Sequence, residues 1–218
     1  MKKLLFGLLL LSTTSMSAQR VCGTMHHQQM LEQQDPKVIQ QRQSIENFTS
    51  QYVINHLNSN NSNRAVITIP VVVHVVYNTA VQNVSDAQIQ TQIDVLNKDF
   101  AKMNSDTTKI PAVWKSLAAN TNIQFCLAQR DPNGAATTGI TRTSTTVTSF
   151  IDDDKVKKAS SGGHDAWPSS SYLNLWVCKL GNSLLGYAQF PGGPAATDGV
   201  VITYTGFGTI GTAAAPYN

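Results

Sequence analysis

Short runs of β-branched and aromatic residues, separated by turns rich in glycine and proline, dominate the chain after residue 66. The longest run, Ile67–Tyr77, is almost free of polar residues, which is typical of a strand buried on both faces of a sheet. Four more strands are predicted from similar runs, at 122–128, 173–177, 186–190 and 199–204. A long stretch rich in threonine, serine, glycine and alanine, ending at about Ser171, is predicted to be a functional or a disordered loop.

Between the first two strands the sequence predicts an amphipathic helix at about 86–103. Ser85 and Gln88 have the spacing of a capping box, and Val84 and Ile89 have that of a hydrophobic staple. The helix has one apolar stripe, formed by Ile89, Ile93, Leu96, Phe100 and Met103. A strand, a helix and a strand in this order predict a right-handed crossover between parallel strands, so the fold class is α/β.

Residues 1–18 are predicted to be a secretory signal peptide. Two lysines precede the apolar run Leu4–Leu11, which is far shorter than the ~20 residues that span a bilayer. Small residues follow, and cleavage is predicted after Ala18 or Ser17. An uncleaved membrane anchor is the alternative. The mature protein is therefore expected to be secreted, either outside the cell or into the periplasm.

Residues 19–65 differ in composition from the rest of the chain and are interpreted as a pro-segment and linker. They are rich in glutamine and asparagine, and Asp35-Pro36 is predicted to open a helix that runs to about Leu57. The apolar positions of that helix, among them Ile45 and Phe48, predict docking on a larger body. A flexible linker is predicted at 58–64. The folded domain is then assigned to 66–218.

The charge balance excludes some classes of partner. The net charge of +3 falls to +1 once the two lysines of the signal are removed. This value implies neither nucleic acid nor, after signal cleavage, a membrane as partner. The charged run at 152–158, DDDKVKK, carries both signs and is predicted to be a solvated loop or helix start rather than a calcium site.

Common catalytic motifs are absent from the sequence. No glutamate follows Glu46, so His-Glu-x-x-His is impossible in the domain, and there is neither a Gly-x-Ser-x-Gly elbow nor a phosphate-binding loop. His26 and His27 are adjacent and should point apart, which argues against chelation by the pair. His74 is predicted to be a core histidine, and His164 to lie in a loop without a Cys, Glu or His partner.

The chain has three cysteines, an odd number for an exported protein. Cys22 stands alone near the mature N-terminus. Cys126 and Cys178 lie in strand patterns, where a thiol often serves as a small buried hydrophobic group.

Several segments together resemble the pappalysin family of metzincin zinc metallopeptidases. The resemblance covers Ile67–Phe207 and rests on the order of IPVVVHVVYN, SDAQIQTQIDVLNKDF, NIQFCLA, DPNG, GITR, YLNLWVCKL, LLGYAQFPGG and DGVVI, with RVCGTM before them. It implies the N-terminal subdomain of a zincin-like catalytic domain: a mixed five-stranded sheet with a crossover helix, preceded by a helical pro-segment. In the implied strand order, 67–77 is central, between 122–128 and 173–177. Next to 173–177 comes 199–204, and 186–190 forms the antiparallel edge.

The same resemblance implies a secreted zinc-dependent endopeptidase that acts on extended peptides. In that family the zinc signature begins soon after the last strand, and this sequence ends there, at GTAAAPYN. Zinc is therefore expected only in a full-length protein, and the chain as given is expected to be an inactive precursor fragment. The alternative is a short secreted peptide-binding module without catalysis. Coding DNA that continues beyond Asn218 into His-Glu-x-x-His would favour the enzyme.

Two site assignments transfer to residues that are present. The edge strand implies that the backbone of five residues binds peptide by β-augmentation: Gly186, Tyr187, Ala188, Gln189 and Phe190. Cys22 resembles a cysteine switch, whose thiolate would occupy the open zinc position in the latent form. The simpler alternative for 186–190 is a sheet edge that binds no ligand, and the simpler alternative for Cys22 is a thiol without a function. The implied strand order also separates Cys126 and Cys178 by one strand, so two free, buried thiols are expected.

Overall fold

The computed structural model describes residues 21–56 and 65–216. The predicted signal peptide, the predicted linker at 58–64 and the predicted helix end at Leu57 lie outside the described residues.

The described chain has its α-helices in the first half and ends in a succession of strands. The strands are β1 (Val21–Cys22), β2 (Ile67–Tyr77), β3 (Ile123–Leu127), β4 (Ile140–Ser144), β5 (Leu173–Cys178), β6 (Leu184–Ala188) and β7 (Val200–Thr203). The α-helices are α1 (Thr24–Gln34), α2 (Lys37–His56) and α3 (Asp86–Phe100). Short 3-10 turns occupy Ala80–Gln82, Ser105–Lys109, Ala112–Trp114, Lys155–Lys157, Ala159–Ser161, Ala195–Thr197 and Tyr204–Gly206.

All of these strands belong to one mixed sheet in the order β1-β6-β7-β5-β2-β3, with β4 also paired to β2. The pair β6–β7 is antiparallel, and the other pairs of described strands are parallel. The implied order of the five strands from β3 to β6 is confirmed. The implied count of five is wrong, because β1 extends the sheet beyond β6 and β4 pairs with the second half of β2. β1 is too short, and β4 too polar, to be read as a strand from the sequence.

The core lies on both faces of β2, as its continuous apolar run predicts. Val71, Val73 and Val75 face α3, whereas Val76 belongs to a second cluster on the opposite face. Residues 71–76 are all buried. The sheet is therefore covered on both faces at its centre, and beyond β7 its last two described strands are β6 and then β1.

Helix α3 is capped as predicted, but its capping box is only half formed. The Ser85 hydroxyl accepts a hydrogen bond from the Gln88 backbone N–H at 3.2 Å. The Gln88 side chain does not return this bond; its Nε2 donates to the Phe207 carbonyl at 2.8 Å and so ties α3 to the C-terminal stretch. Ile89 is buried as predicted, whereas Met103 lies beyond the helix and is 76% exposed.

The N-terminal segment forms two helices that fold back over β6. Helix α2 begins as predicted, with the Asp35 carboxylate accepting from the Lys37 N–H at 2.9 Å, while α1 was not predicted. Val38 of α2 is buried, but Ile45 and Phe48 are exposed, so the predicted docking is made only at the start of α2. No described helix is long and apolar enough to cross a membrane.

Candidate substrate-binding edge strand and its pro-segment

The outer edge of β6 is occupied by the N-terminal segment of the same chain. Val21 lies opposite Leu184 and Cys22 opposite Gly186, in parallel orientation. The Gly23 N–H donates to the Gly186 carbonyl at 2.8 Å. The backbone groups of β6 that face away from β7 therefore accept an extended peptide segment in this structure.

Beyond this pairing, the N-terminal segment covers most of the predicted site. The Ala188 N–H donates to the Thr24 hydroxyl at 3.1 Å. The His27 ring lies 4.9 Å from the ring of Tyr187, centroid to centroid, and the Arg42 guanidinium lies 4.7 Å above the Phe190 ring.

Gln189 and Phe190 follow the end of β6 and belong to the turn that leads to β7. The Gln189 side chain donates to the Pro194 carbonyl at 3.0 Å and accepts from the Thr197 hydroxyl at 2.8 Å. Its role in the structure is to hold this turn. The structure thus brings Gly186, Tyr187 and Ala188 together on the strand itself, and the predicted site extends two residues past it.

A buried charge network lies against β6 where the sequence predicted a solvated loop. Asp152, Asp154 and Lys157 are each at least 90% buried. The Lys157 ammonium lies 2.9 Å from Asp154 Oδ1 and donates to the Thr197 carbonyl at 2.7 Å. The predicted solvation was wrong for these three residues, whereas Lys155 and Lys158 are exposed and the alternative, a helix start, corresponds to the 3-10 turn Lys155–Lys157. Charged residues are buried when tertiary partners compensate their charges, and those partners are distant in sequence.

The adjacent histidines of the pro-segment each meet one carboxylate of this network. His26 Nδ1 lies 2.6 Å from Asp152 Oδ2, and His27 Nε2 lies 2.8 Å from Asp154 Oδ2. The two rings therefore contact different carboxylates of the same loop. His27 is buried and His26 is largely exposed, so the two contacts differ in strength.

The surroundings shift the pKa values of the buried groups. Burial opposes ionisation of Asp154, but the hydrogen bond from His27 and the charge of Lys157 outweigh it, so the pKa of this carboxyl is lowered. Burial lowers the pKa of Lys157, an effect that Asp154 partly opposes. Burial also raises the pKa of Tyr187, which stays a neutral phenol. Asp154 and Lys157 therefore form an enclosed ion pair without net charge beneath the edge strand.

Cys22 stands at the mouth of an apolar groove beside β6. The groove is lined by residues Cys22, Thr24, 185–188, 200–202 and Gly206. Cys22 is exposed, and its thiol lies 3.3 Å from the Thr24 hydroxyl. Within residues 21–56 and 65–216, no group of three or more His, Cys, Asp or Glu side chains could hold a metal ion. These residues therefore do not by themselves fit the four-ligand geometry of zinc.

His74 is a core histidine, as predicted, and its ring nitrogens are both partnered. They lie 2.8 Å from the Thr141 hydroxyl and 3.0 Å from Asn174 Oδ1. Burial lowers the pKa of His74 to about 3. The prediction that His164 lacks a histidine partner was wrong: its ring stacks on that of His74 at 4.4 Å. This contact clamps the loop before β5 to the sheet, and it is not a metal site.

The cysteine prediction was only partly right. Cys126 and Cys178 are both free, and their strands are separated by β2. Cys178 is buried, and its pKa is raised by burial. Cys126 is exposed because β3 lies at the sheet edge and its alternate residues face outward.

Solved structures of mirolysin and promirolysin are similar to this chain, whereas no protein-family profile and no curated protein matches it. A promirolysin mutant of Tannerella forsythia is 48% identical, with a TM-score of 0.77, and the match covers 91% of this chain and 64% of that one. Mature mirolysin of the same organism, in complex with a cleaved peptide, is 54% identical, with a TM-score of 0.69; the match covers 72% of this chain and 59% of that one. Mirolysin in complex with compound 9 is 55% identical, with a TM-score of 0.68 and coverage of 71% and 59%. The chain thus spans 59–64% of the length of these relatives, and over 91% of its own length it is similar to the N-terminal part of promirolysin.

Proposed function

We propose that this chain comprises the pro-segment and the N-terminal part of the catalytic domain of a secreted zinc-dependent metalloendopeptidase. Its full-length protein would hydrolyse peptide bonds by means of a metal-activated water. The observation that carries the proposal is the pairing of Val21–Cys22 with the edge strand β6. The likeness to promirolysin and to mature mirolysin with a cleaved peptide supports it.

The division at about residue 65 is part of the proposal. Residues 66–218 make up about 70% of the chain, and the match to mature mirolysin covers 72% of it. The match to promirolysin covers 91%. This difference supports assignment of 19–65 to a pro-segment that is removed on activation, after a signal peptide at 1–18 has directed secretion.

In the mature form the substrate takes the place of the pro-segment along β6. The backbone groups of Gly186–Phe190 bind an extended peptide by adding a strand to the sheet. The hydrogen bond that Gly186 accepts from Gly23 supports this role, because it shows a backbone acceptor that is free for a peptide once the pro-segment has left. A Cβ at Gly186 would lie 2.5 Å from the Val201 carbonyl oxygen of β7, so the lack of a side chain at this position keeps the pairing intact.

Cys22 is proposed as the latency residue. A thiolate is a good zinc ligand, and Cys22 is the exposed pro-segment thiol beside the groove. The other ligands would come from residues beyond those described here, and no step of hydrolysis is assigned to a side chain of this chain. The chain as given is therefore proposed to be inactive.

The test compares this chain with the protein encoded by any reading frame that continues past Asn218, using gelatin cleavage with zinc and with a chelator. The longer protein should cleave gelatin with zinc alone, and this chain should not. In the longer protein, Cys22→Ala should allow cleavage before the pro-segment is removed, whereas Cys126→Ala should not. Cleavage by this chain, or a stop codon after Asn218, would contradict the proposal; the stop codon would favour a peptide-binding module.

A further inference from the structure

The segment between α3 and β3, residues 101–120, carries large apolar side chains that are open to solvent. Val113, Trp114 and Leu117 are 71%, 57% and 70% exposed, and neither hydrophobic cluster of the sheet includes them. A single exposed apolar residue is ordinary, whereas several that share one surface mark an interaction site. These three residues are named the apolar patch.

Backbone hydrogen bonds place the three side chains together on one helical turn. The Trp114 N–H donates to the Pro111 carbonyl at 2.9 Å, and the Leu117 N–H donates to the Trp114 carbonyl at 3.0 Å. Residues three and four apart are neighbours on such a turn, so Leu117 lies beside both Trp114 and Val113. The apolar patch is therefore one contiguous surface.

The segment that carries the patch is closed at its base. The Thr121 N–H donates to the Phe100 carbonyl at 3.0 Å. The Lys102 ammonium donates to the Ala118 carbonyl and so joins the two halves of the segment. The apolar patch consequently has a defined place beside the sheet, and it is not a loose connection.

The apolar patch is remote from the candidate site. Its segment leads into β3, which lies four strand spacings from β6, or ~19 Å at ~4.8 Å each. The C-terminal stretch binds Gln88 near the start of α3. The segment leaves that helix after Phe100, ~18 Å farther along its axis. The patch is therefore independent of every contact used in the proposed function.

The local charge complements an anionic surface. Residues 101–120 contain three lysines and one aspartate, a net charge of +2, although the mature chain carries only +1. The aspartate, Asp106, pairs with Lys109 at 2.6 Å. Among the described residues, no carboxylate pairs with Lys102 or Lys115. The overall charge predicted no membrane partner because it averages this local excess away.

The combination of side chains fits a lipid bilayer. A tryptophan favours the headgroup level, where its ring is in an apolar environment and its N–H reaches polar groups. A neighbouring lysine can lay its aliphatic chain along the apolar region and hold its ammonium among lipid phosphates. A second copy fits less well, because two patches of positive charge repel each other.

We propose that the apolar patch, together with Lys102 and Lys115, is an interfacial anchor that binds the surface of an anionic lipid bilayer. The three apolar side chains enter the boundary between headgroups and acyl chains, and the two lysines contact the headgroup phosphates. So small an anchor binds weakly and reversibly, and it holds the protein at a membrane without crossing it.

The first test is sedimentation of the secreted chain, after signal removal, with vesicles of equal parts phosphatidylglycerol and phosphatidylcholine. Trp114→Ser and Leu117→Ser should each weaken binding at least fivefold, since each removes apolar area from the bilayer. Lys115→Glu should weaken binding to these vesicles at least fivefold, but should leave weaker binding to pure phosphatidylcholine unchanged. The matched control is Phe48→Ser, because Phe48 on α2 is also 70% exposed and should not contribute.

The second test locates the contact by fluorescence and needs no destabilising substitution. Of the three tryptophans, Trp176 is fully buried and Trp167 is partly buried. Lipids brominated near the headgroup should therefore quench mainly Trp114. In Trp114→Phe, which keeps an aromatic ring, the vesicles should still bind while the quenching is lost.

The alternative results exclude the anchor. Absence of saturable binding at millimolar lipid would overturn the proposal, as would equal losses in Phe48→Ser and Leu117→Ser or unchanged quenching in Trp114→Phe. Polyglutamate that binds as tightly as the vesicles would indicate an acidic protein as the partner instead. A dimer that Leu117→Ser dissociates in analytical ultracentrifugation would assign the patch to a second copy. Wild-type circular dichroism of each variant confirms that a loss of binding is not a loss of fold.

Discussion

Lysines 155 and 157 provide a matched pair for testing the buried charge network. They are two residues apart in one 3-10 turn, yet the Lys157 side chain is 0% exposed and that of Lys155 is 65% exposed. Each pairs with a carboxylate, Lys157 with Asp154 at 2.9 Å and Lys155 with Asp153 at 2.8 Å. The two pairs therefore differ mainly in their access to water.

Lys157→Met is expected to destabilise the chain strongly. It leaves the Asp154 carboxylate without its cation and removes the donor to the Thr197 carbonyl. Breaking one side of a buried pair costs about 3–5 kcal/mol. With a urea m-value of about 2 kcal/mol/M, the midpoint of unfolding should fall by ~1.5–2.5 M. Lys155→Met should leave the midpoint unchanged, because water replaces the exposed partner.

A double-mutant cycle measures how much of this loss of stability comes from the Asp154–Lys157 pair. Asp154 has a φ of 62°, in the left-handed region that asparagine tolerates, so Asp154→Asn removes the charge with little backbone strain. In that background Lys157→Met should cost about 1–3 kcal/mol less than in the wild type. Urea melts of the four proteins followed by circular dichroism measure this coupling. Equal midpoints for Lys155→Met and Lys157→Met, or zero coupling, would refute the reasoning.

Three further predictions concern His74, the cysteines of β3 and β5, and Gly186. Because burial lowers the pKa of His74 to about 3 from the ordinary 6.5, the unfolded chain takes up a proton there first. Stability should therefore fall by about 1.4 kcal/mol per pH unit as the pH drops from about 6.5 to about 3, and His74→Gln should lack this component in urea melts; equal slopes would contradict the assignment. A thiol reagent should modify Cys126 in the folded chain and Cys178 only after unfolding, since Cys126 is exposed and Cys178 is buried. Mass spectrometry of the two tryptic peptides measures the modification, and equal rates of modification of the two thiols would be evidence against the fold. Gly186→Ala should lower the midpoint of urea unfolding and expose the β6 amides to hydrogen exchange, because its Cβ would lie 2.5 Å from a backbone carbonyl of β7. Gly206→Ala is the control and should have neither effect, since no atom would lie closer than 3.6 Å to its Cβ. Similar effects of the two substitutions would argue against the close approach at Gly186.

Local patterns in the sequence were sufficient where neighbouring residues decide the structure. The run Ile67–Tyr77 forms β2 with the predicted bounds, because a continuous β-branched segment can only be satisfied inside a sheet. Ser85 caps α3 as predicted, because its hydroxyl meets an N–H three residues away. The resemblance in the order of short motifs, rather than any one pattern, implied the order of five of the described strands; it also implied that β6 is the sheet edge, but β1 lies beyond it.

Tertiary structure alone decided the pro-segment contacts and the charge network. Val21–Cys22 is too short to be recognised as a strand and exists because β6 offers unpaired backbone groups. His27 and Asp154 are 127 residues apart, and nothing in either neighbourhood marks them as partners. A charged run is solvated by default and becomes buried only when distant groups neutralise it. Local sequence patterns therefore predicted β2, β3, β5, β6 and β7, whereas contacts between residues distant in sequence decided the pairing of β1 and the buried charge network.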